Sequence, residues 1–200
     1  EFRRVLFRSV PVVLNAHSPD FICRKFNEEV RYQLPHYWTG RLEMACLHAA
    51  DAVICPSRYL SRQLEEAFGG SISVEALHLP WTDPEPYLGG GTVEDGKLLY
   101  TGRLELRKGV LRFLEACEKR WGEGLSFSVH MVGSDTLYVP RNCTVGEWIR
   151  KRYARRIEEG SLVLRDALPH AELLREMGTA AATVVPSLWE NWPNTCIEAM

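Results

Sequence analysis

The sequence lacks several things that would place it quickly. Its six cysteines, at positions 23, 46, 55, 117, 143 and 196, include no C-x-x-C pair. That argues against a zinc cluster and suits buried thiols in a reducing cytoplasm. Metal-first enzymes are therefore poorly supported, and a cytoplasmic location is expected. No apolar run approaches the roughly 20 residues that a membrane-spanning helix needs. The formal net charge is only −2, which argues against a general nucleic-acid binder. Tandem repeats and low-complexity tracts are missing as well. What remains is an ordinary composition, 46% hydrophobic and 25% charged over 200 residues. That is enough apolar material for one or two cored domains.

The two ends of the chain are unusual. Residues 1–9 (EFRRVLFRS) have neither the apolar stretch nor the small-residue cleavage site of a signal peptide. With permissible codons they back-translate to a common short-read sequencing adapter, and they are set aside as an artefact. At the other end, PSLWENWPNTCIEAM reads as strand end, loop and first helical turn, and then stops at Met200. The expectation is a fragment cut at both ends, catalytically silent by itself and prone to aggregate through uncovered strand edges and apolar faces.

Between the ends, strands and helices alternate. VPVVLNA reads as a strand, followed by a polar, irregular stretch. GRLEMACLHAA reads as a helix, DAVICPS as a strand, SRYLSRQLEEAF as a helix capped by Ser57 and stopped by Gly69 and Gly70, and ISVEALHL as a strand. Residues 80–96 hold three Pro and four Gly and read as a linker. The rhythm resumes with KLLYTG (strand), KGVLRFLEACEKRW (helix), SFSVHMVG (strand), GEWIRKRYARRIEE (helix), SLVL (strand), HAELLREMG (helix) and AATVV (strand). This pattern predicts two α/β domains with parallel sheets, both incomplete: residues 10–79 and 97–200.

Ligands of open parallel sheets bind at the carboxyl ends of the strands. After KLLY comes TGRLELRKG, with Arg103 in the loop, Lys108 at the next helix start, and Gly102 and Gly109 to turn the backbone. A solvated helix entrance would explain the two cations. Yet the helix dipole disfavours positive charge there, which tilts the reading towards a bound diphosphate. A second small-residue loop, GSDT, begins at Gly133. In the last segment, the helix dipole alone explains Glu198, read in an early helical turn, but not Glu190, in the loop between Trp189 and Asn191.

Taken in order, VVLNAHS, ADAVICPSRYL, GRLELRKG, VGSDT and ENWPNTCIE resemble the retaining glycosyltransferases of family 4, which have the GT-B fold of two Rossmann-like domains. The resemblance runs from Val10 to Met200 and includes the paired glutamates with seven residues between them, Glu190 and Glu198. It implies metal-independent transfer of a hexosyl group from a nucleotide-sugar donor with retention of configuration. By resemblance, Arg103 and Lys108 would hold the diphosphate, Glu198 the ribose, and Glu190 the sugar being moved. His17 would face that sugar from the acceptor side. Gly102, Gly133 and the stretch Asn191, Trp192, Pro193, Asn194 and Thr195 would line the donor, and Arg165, in the turn at 164–167, would border the base. The Gly-rich loop that the family carries after its first strand, and its last helices, have no counterpart in the sequence.

The acceptor, whether glycan, lipid or small molecule, is not legible. Two other readings stand beside the transferase: an epimerase or phosphorylase of the same fold, and a non-catalytic two-lobed binding module. The second should lack a phosphate-gripping Arg/Lys pair. His36, His48, His78, His130 and His170 show no ligand spacing. The run RKRYARR (residues 150–156) reads as a solvated helix face, which leaves peripheral contact with acidic lipid or polymer open.

Overall fold

A computed structural model describes residues 10–27, 34–81 and 91–200. The chain divides into two compact units. The first holds residues up to Lys25, the stretch to Trp81, and Glu190–Trp192; the second holds Phe26 and Asn27, the stretch to Trp189, and Pro193–Met200. The nine-residue leader and most of the linker stretch lie outside the described residues.

The first unit is a three-stranded parallel sheet in the order β1 (Val13–Asn15), β2 (Ala52–Cys55), β3 (Val74–Ala76). Helices α1 (Asp20–Phe26), α2 (Leu34–Ala49) and α3 (Arg58–Ala67) accompany it. Ser57 caps α3 as its residue type predicts: its hydroxyl accepts from the Leu60 N–H at 3.2 Å. Leu60 and Leu64, one turn apart on α3, are fully buried, with Val53, Cys55 and Val74 of the sheet also in the core. The helix ends at Gly69 and Gly70, both in the left-handed region.

Helix α1 and the first turns of α2 occupy what the sequence presents as irregular. The reason is tertiary. The Glu43 carboxylate on α2 accepts from the backbone N–H groups of Asp20 (3.0 Å) and Phe21 (3.3 Å), capping α1 from a distance of more than 20 residues. No local capping signal announces that contact. Burial pushes the Glu43 carboxyl above its ordinary range, against those two N–H donors.

The second unit has a four-stranded parallel sheet in the order β8 (Leu162–Arg165), β5 (Ser128–Val132), β4 (Glu94–Thr101), β9 (Ala180–Val184). Strand β4 starts at Glu94 and not at Lys97. Gly96 takes a positive φ of 71°, and the pairing with β9 shifts register between Glu94 and Leu98, so the Gly lies inside an irregular strand. Helix α4 (Val110–Gly122) lays Val110, Leu114, Cys117 and Trp121 on one face, spaced 4, 3 and 4 residues apart. That face joins Tyr100, Val129, Met131 and Leu162 in the core. Burial lifts the Cys117 thiol to about 11, so it stays protonated and inert.

A small antiparallel pair, β6 (Leu137–Tyr138) and β7 (Cys143–Thr144), precedes α5 (Val145–Arg152). Thr144 and Glu147 cap the start of α5 with a reciprocal capping box. The single helix expected over GEWIRKRYARRIEE is two, α5 and α6 (Ala154–Glu158), broken at Tyr153, which is only 3% exposed. Burying that residue takes precedence over helix continuity. Helix α7 (His170–Thr179) leads to β9, and α8 (Asn194–Glu198) follows the last loop. Among the described residues no helix is long and apolar enough to cross a membrane.

Candidate functional site

In the second unit, the carboxyl ends of β4 and β5 meet backbone to backbone. The Gly102 N–H donates to Val132 O at 3.0 Å, and a Cβ placed on Gly133 would lie 1.9 Å from Gly102 O. Only glycine at 133 permits this approach. Gly109, the hinge between the 3₁₀ turn Leu106–Lys108 and α4, has a φ of 70°, and its Cβ would fall 2.0 Å from Pro186 O. The loop after β9 is thus seated directly on the end of the turn that carries Lys108. Gly109→Ala should cost about 1–3 kcal/mol from the left-handed backbone alone. A urea midpoint equal to that of the unaltered chain would contradict this seating.

Arg103 is exposed, and its guanidinium sits 3.0 Å from Glu105. Glu105 is buried, as is Arg107, whose Nε lies 3.3 Å from the same carboxylate. Arg107 also donates to Trp189 O at 3.2 Å and rests 5.7 Å above the Trp189 ring. Asn27 completes the cluster: its amide donates to Glu105 at 2.7 Å and its carbonyl accepts from the Arg107 N–H at 2.9 Å. Burial alone would raise the Glu105 carboxyl. The Asn27 hydrogen bond and the Arg107 and Arg103 charges outweigh it and hold the group below its ordinary range. Sequence reading missed Glu105, Arg107 and Asn27. The only available signal was the alternation of Arg103, Glu105 and Arg107, which places three charges on one side of an extended strand.

Lys108 ends the 3₁₀ turn and is half-buried. Glu198, at the end of the five-residue α8, is half-buried with an oxygen 3.0 Å from His170 Nε2. His170, set aside in the sequence, is therefore the neighbour of one of the paired glutamates. Pro193, Asn194 and Thr195 form the start of α8. Arg165 lies at the end of β8, but its guanidinium turns to Glu176 of α7 at 2.5 Å. Glu176 is held below its ordinary range by Arg165 and Lys97, against its burial.

In the first unit, His17 follows β1 and is exposed. Its carbonyl accepts from the Asn191 amide, and the Asn191 carbonyl accepts from the Ser57 hydroxyl at 2.8 Å. Asn191 is thus buried and satisfied at both ends, tying residues 190–192 to β1 and to the cap of α3. Trp192 packs on His78 at 5.0 Å between ring centroids. Glu190 is half-buried. The paired glutamates belong to different units, Glu190 to the first and Glu198 to the second.

Residues 95–200 match the family model described as "Glycosyl transferases group 1". The chain belongs to that family. Residues 2–75, a range that takes in most of the leader, match "Glycosyltransferase Family 4". No curated protein matches this group 1 sequence significantly. Among solved structures it is similar to Anabaena HepE, crystallised with UDP and glucose: 14% identity and a TM-score of 0.65 over 98% of this chain and 51% of that one. It is also similar to the sucrose-phosphate synthase of Thermosynechococcus elongatus, at 18% identity and TM-score 0.66 over 94% and 47%. A third is the pneumococcal O-GlcNAc transferase GtfA with UDP and GlcNAc, at 16% identity and TM-score 0.58 over 79% and 30%. The chain spans about half or less of the length of these structures. At such identities the likeness concerns fold: α/β, with two Rossmann-like parallel-sheet units of the GT-B class.

Proposed function

We propose that the protein containing this group 1 chain transfers a hexosyl group from a nucleoside-diphosphate sugar to an acceptor, with retention of configuration, in the manner of family 4. One observation carries the reading. Arg103 and Lys108 bracket a glycine-hinged turn at the carboxyl end of β4, inside the stretch that matches the family. Their donors suit the oxygens of a diphosphate leaving group, whose charge grows as the glycosidic bond breaks. The UDP complexes of HepE and GtfA support a nucleotide donor.

In this reading the Gly102 and Gly133 loops let backbone N–H groups approach the phosphates. Glu198, steadied by His170, accepts from the ribose hydroxyls, and Pro193, Asn194 and Thr195 present the loop beside them. Glu190 and His17 face the transferred sugar, with Asn191 fixing the backbone around both and Trp192 beside them. Arg165 acts at the base edge only by exchanging Glu176 for ligand. No metal and no further cofactor enters the step, and the protein works in the cytoplasm. The acceptor is a glycan, lipid or small molecule.

Calorimetry with a panel of nucleoside diphosphates tests the donor assignment. Each of Arg103→Ala and Lys108→Ala should remove a charge-assisted contact worth about 1.5–3 kcal/mol, a loss of roughly ten- to a hundredfold in affinity. Unaltered affinity in both variants would refute the diphosphate role. The anomeric configuration of the first-formed product, read by NMR, tests retention.

A further inference from the structure

The basic run at 150–156 is not one uniform solvated face. Arg155 pairs with Glu159 at 2.7 Å, and Arg156 pairs with Glu118 at 3.0 Å and Glu159 at 3.2 Å. Those two cations are neutralised. Lys151 and Arg152 instead line a cavity of about 840 Å³ in the second unit, together with Arg141, Cys143, Glu147 and Trp148. Arg141 and Lys151 are exposed and meet no carboxylate among the described residues. Arg152 lies 5.6 Å over the Tyr153 ring and forms no ion pair there either. The one acid, Glu147, has an oxygen committed to the Thr144 N–H at 2.8 Å. Three cations against one carboxylate leave the cavity positive.

Its wall is firm. The Trp148 indole is half-buried and packed edge-wise with Tyr138 and Tyr153, at 6.1 and 6.2 Å between centroids. Arg141 comes from the short turn Val139–Arg141, and the next residue, Asn142, takes the left-handed conformation with φ 51°. The lining shares no residue with the proposed donor site.

We propose that this cavity binds an anionic saccharide, a sugar of one to a few rings bearing carboxylate, sulfate or phosphate. Guanidinium and ammonium groups only donate, so they select an acceptor-rich anion. The indole supplies an apolar wall for the C–H face of a sugar ring. The volume falls in the usual range for small-ligand pockets. A concave, pinned aromatic is poorly placed to enter a bilayer. Binding along a nucleic-acid strand uses successive stacking platforms, and this wall offers one indole. The saccharide half of the inference rests on the proposed sugar transfer, whereas the anion half rests on the cavity alone.

Titration of the chain with a heparin-derived tetrasaccharide, neutral maltotetraose and a short single-stranded oligonucleotide tests it. The sulfated tetrasaccharide should bind and the neutral one should not. Arg141→Ala/Lys151→Ala should weaken binding at least tenfold; both side chains are exposed, and circular dichroism checks that the fold is kept. Trp148→Phe, which keeps an aromatic in the wall, should weaken it less. No binding, unaltered affinity in the double variant, or equal affinity for the oligonucleotide would overturn the proposal. A panel of nucleoside diphosphates titrated into the unaltered chain keeps the two sites apart. Nucleotide binding without binding of the sulfated tetrasaccharide refutes this site alone; tetrasaccharide binding with no nucleotide bound refutes the donor assignment alone.

Discussion

Arg107→Met is expected to destabilise the second unit by about 3–5 kcal/mol, the usual cost of removing one partner from a buried ion pair. The variant keeps an unbranched apolar stem but strips the guanidinium, and with it the charge that faces Glu105, whose side chain is only 9% exposed, and the contact over the Trp189 ring. Arg103, 3.0 Å from Glu105 and itself exposed, compensates only in part, so the loss should sit near the lower end of that range. The pair also predicts a pH dependence. In the unaltered protein Glu105 titrates below its ordinary value, so its contribution is present above the unfolded-state value and is lost as pH falls through the depressed one. Without Arg107, burial dominates and the carboxyl rises, so acid neutralises a buried charge and the gap between the two proteins narrows. Urea unfolding at neutral and acidic pH measures both effects. Adding Glu105→Gln to Arg107→Met should recover most of the loss, as a double-mutant cycle would show. A loss that neither shrinks in acid nor is recovered by the second change would mean that packing on Trp189, and not charge, is what Arg107 supplies.

Glu190→Gln is expected to lower kcat about 10²–10³-fold in the full-length protein, with little change in KM for the donor. The proposed role sets Glu190 beside the anomeric carbon as positive charge develops there, an interaction that strengthens only in the transition state. Glu198→Gln should do the opposite, raising donor KM more than it lowers kcat, because a ribose contact is made equally in ground and transition states. The His170 contact adds a control. If Glu198 serves only to hold His170, then His170→Ala should reproduce the whole Glu198→Gln phenotype. If Glu198 binds ribose and His170 merely steadies it, His170→Ala should raise KM by a smaller factor. Equal, purely stability-linked losses in the two glutamate variants would remove both role assignments while leaving family membership untouched.

Residue type and order were enough for the alternation of strands and helices, the cap at Ser57, the stops at Gly69 and Gly70, and the segments after the strand ends that carry Arg103, Lys108, Glu190 and Glu198. These are local matters: the periodicity of apolar residues and the geometry that Gly, Pro and capping side chains impose act within a few residues. Tertiary structure alone decided the rest. Glu43 caps α1 from another helix, Tyr153 breaks a helix in order to be buried, and Asn27 meets Glu105 across 78 positions of chain. Arg165 turns to Glu176, His170 to Glu198, and Asn191 to both His17 and Ser57. A carboxylate or amide reads the same in a sequence whatever it faces. Its role depends on desolvation and on which partner the fold brings within about 3 Å, and those are set by contacts between elements far apart in the chain.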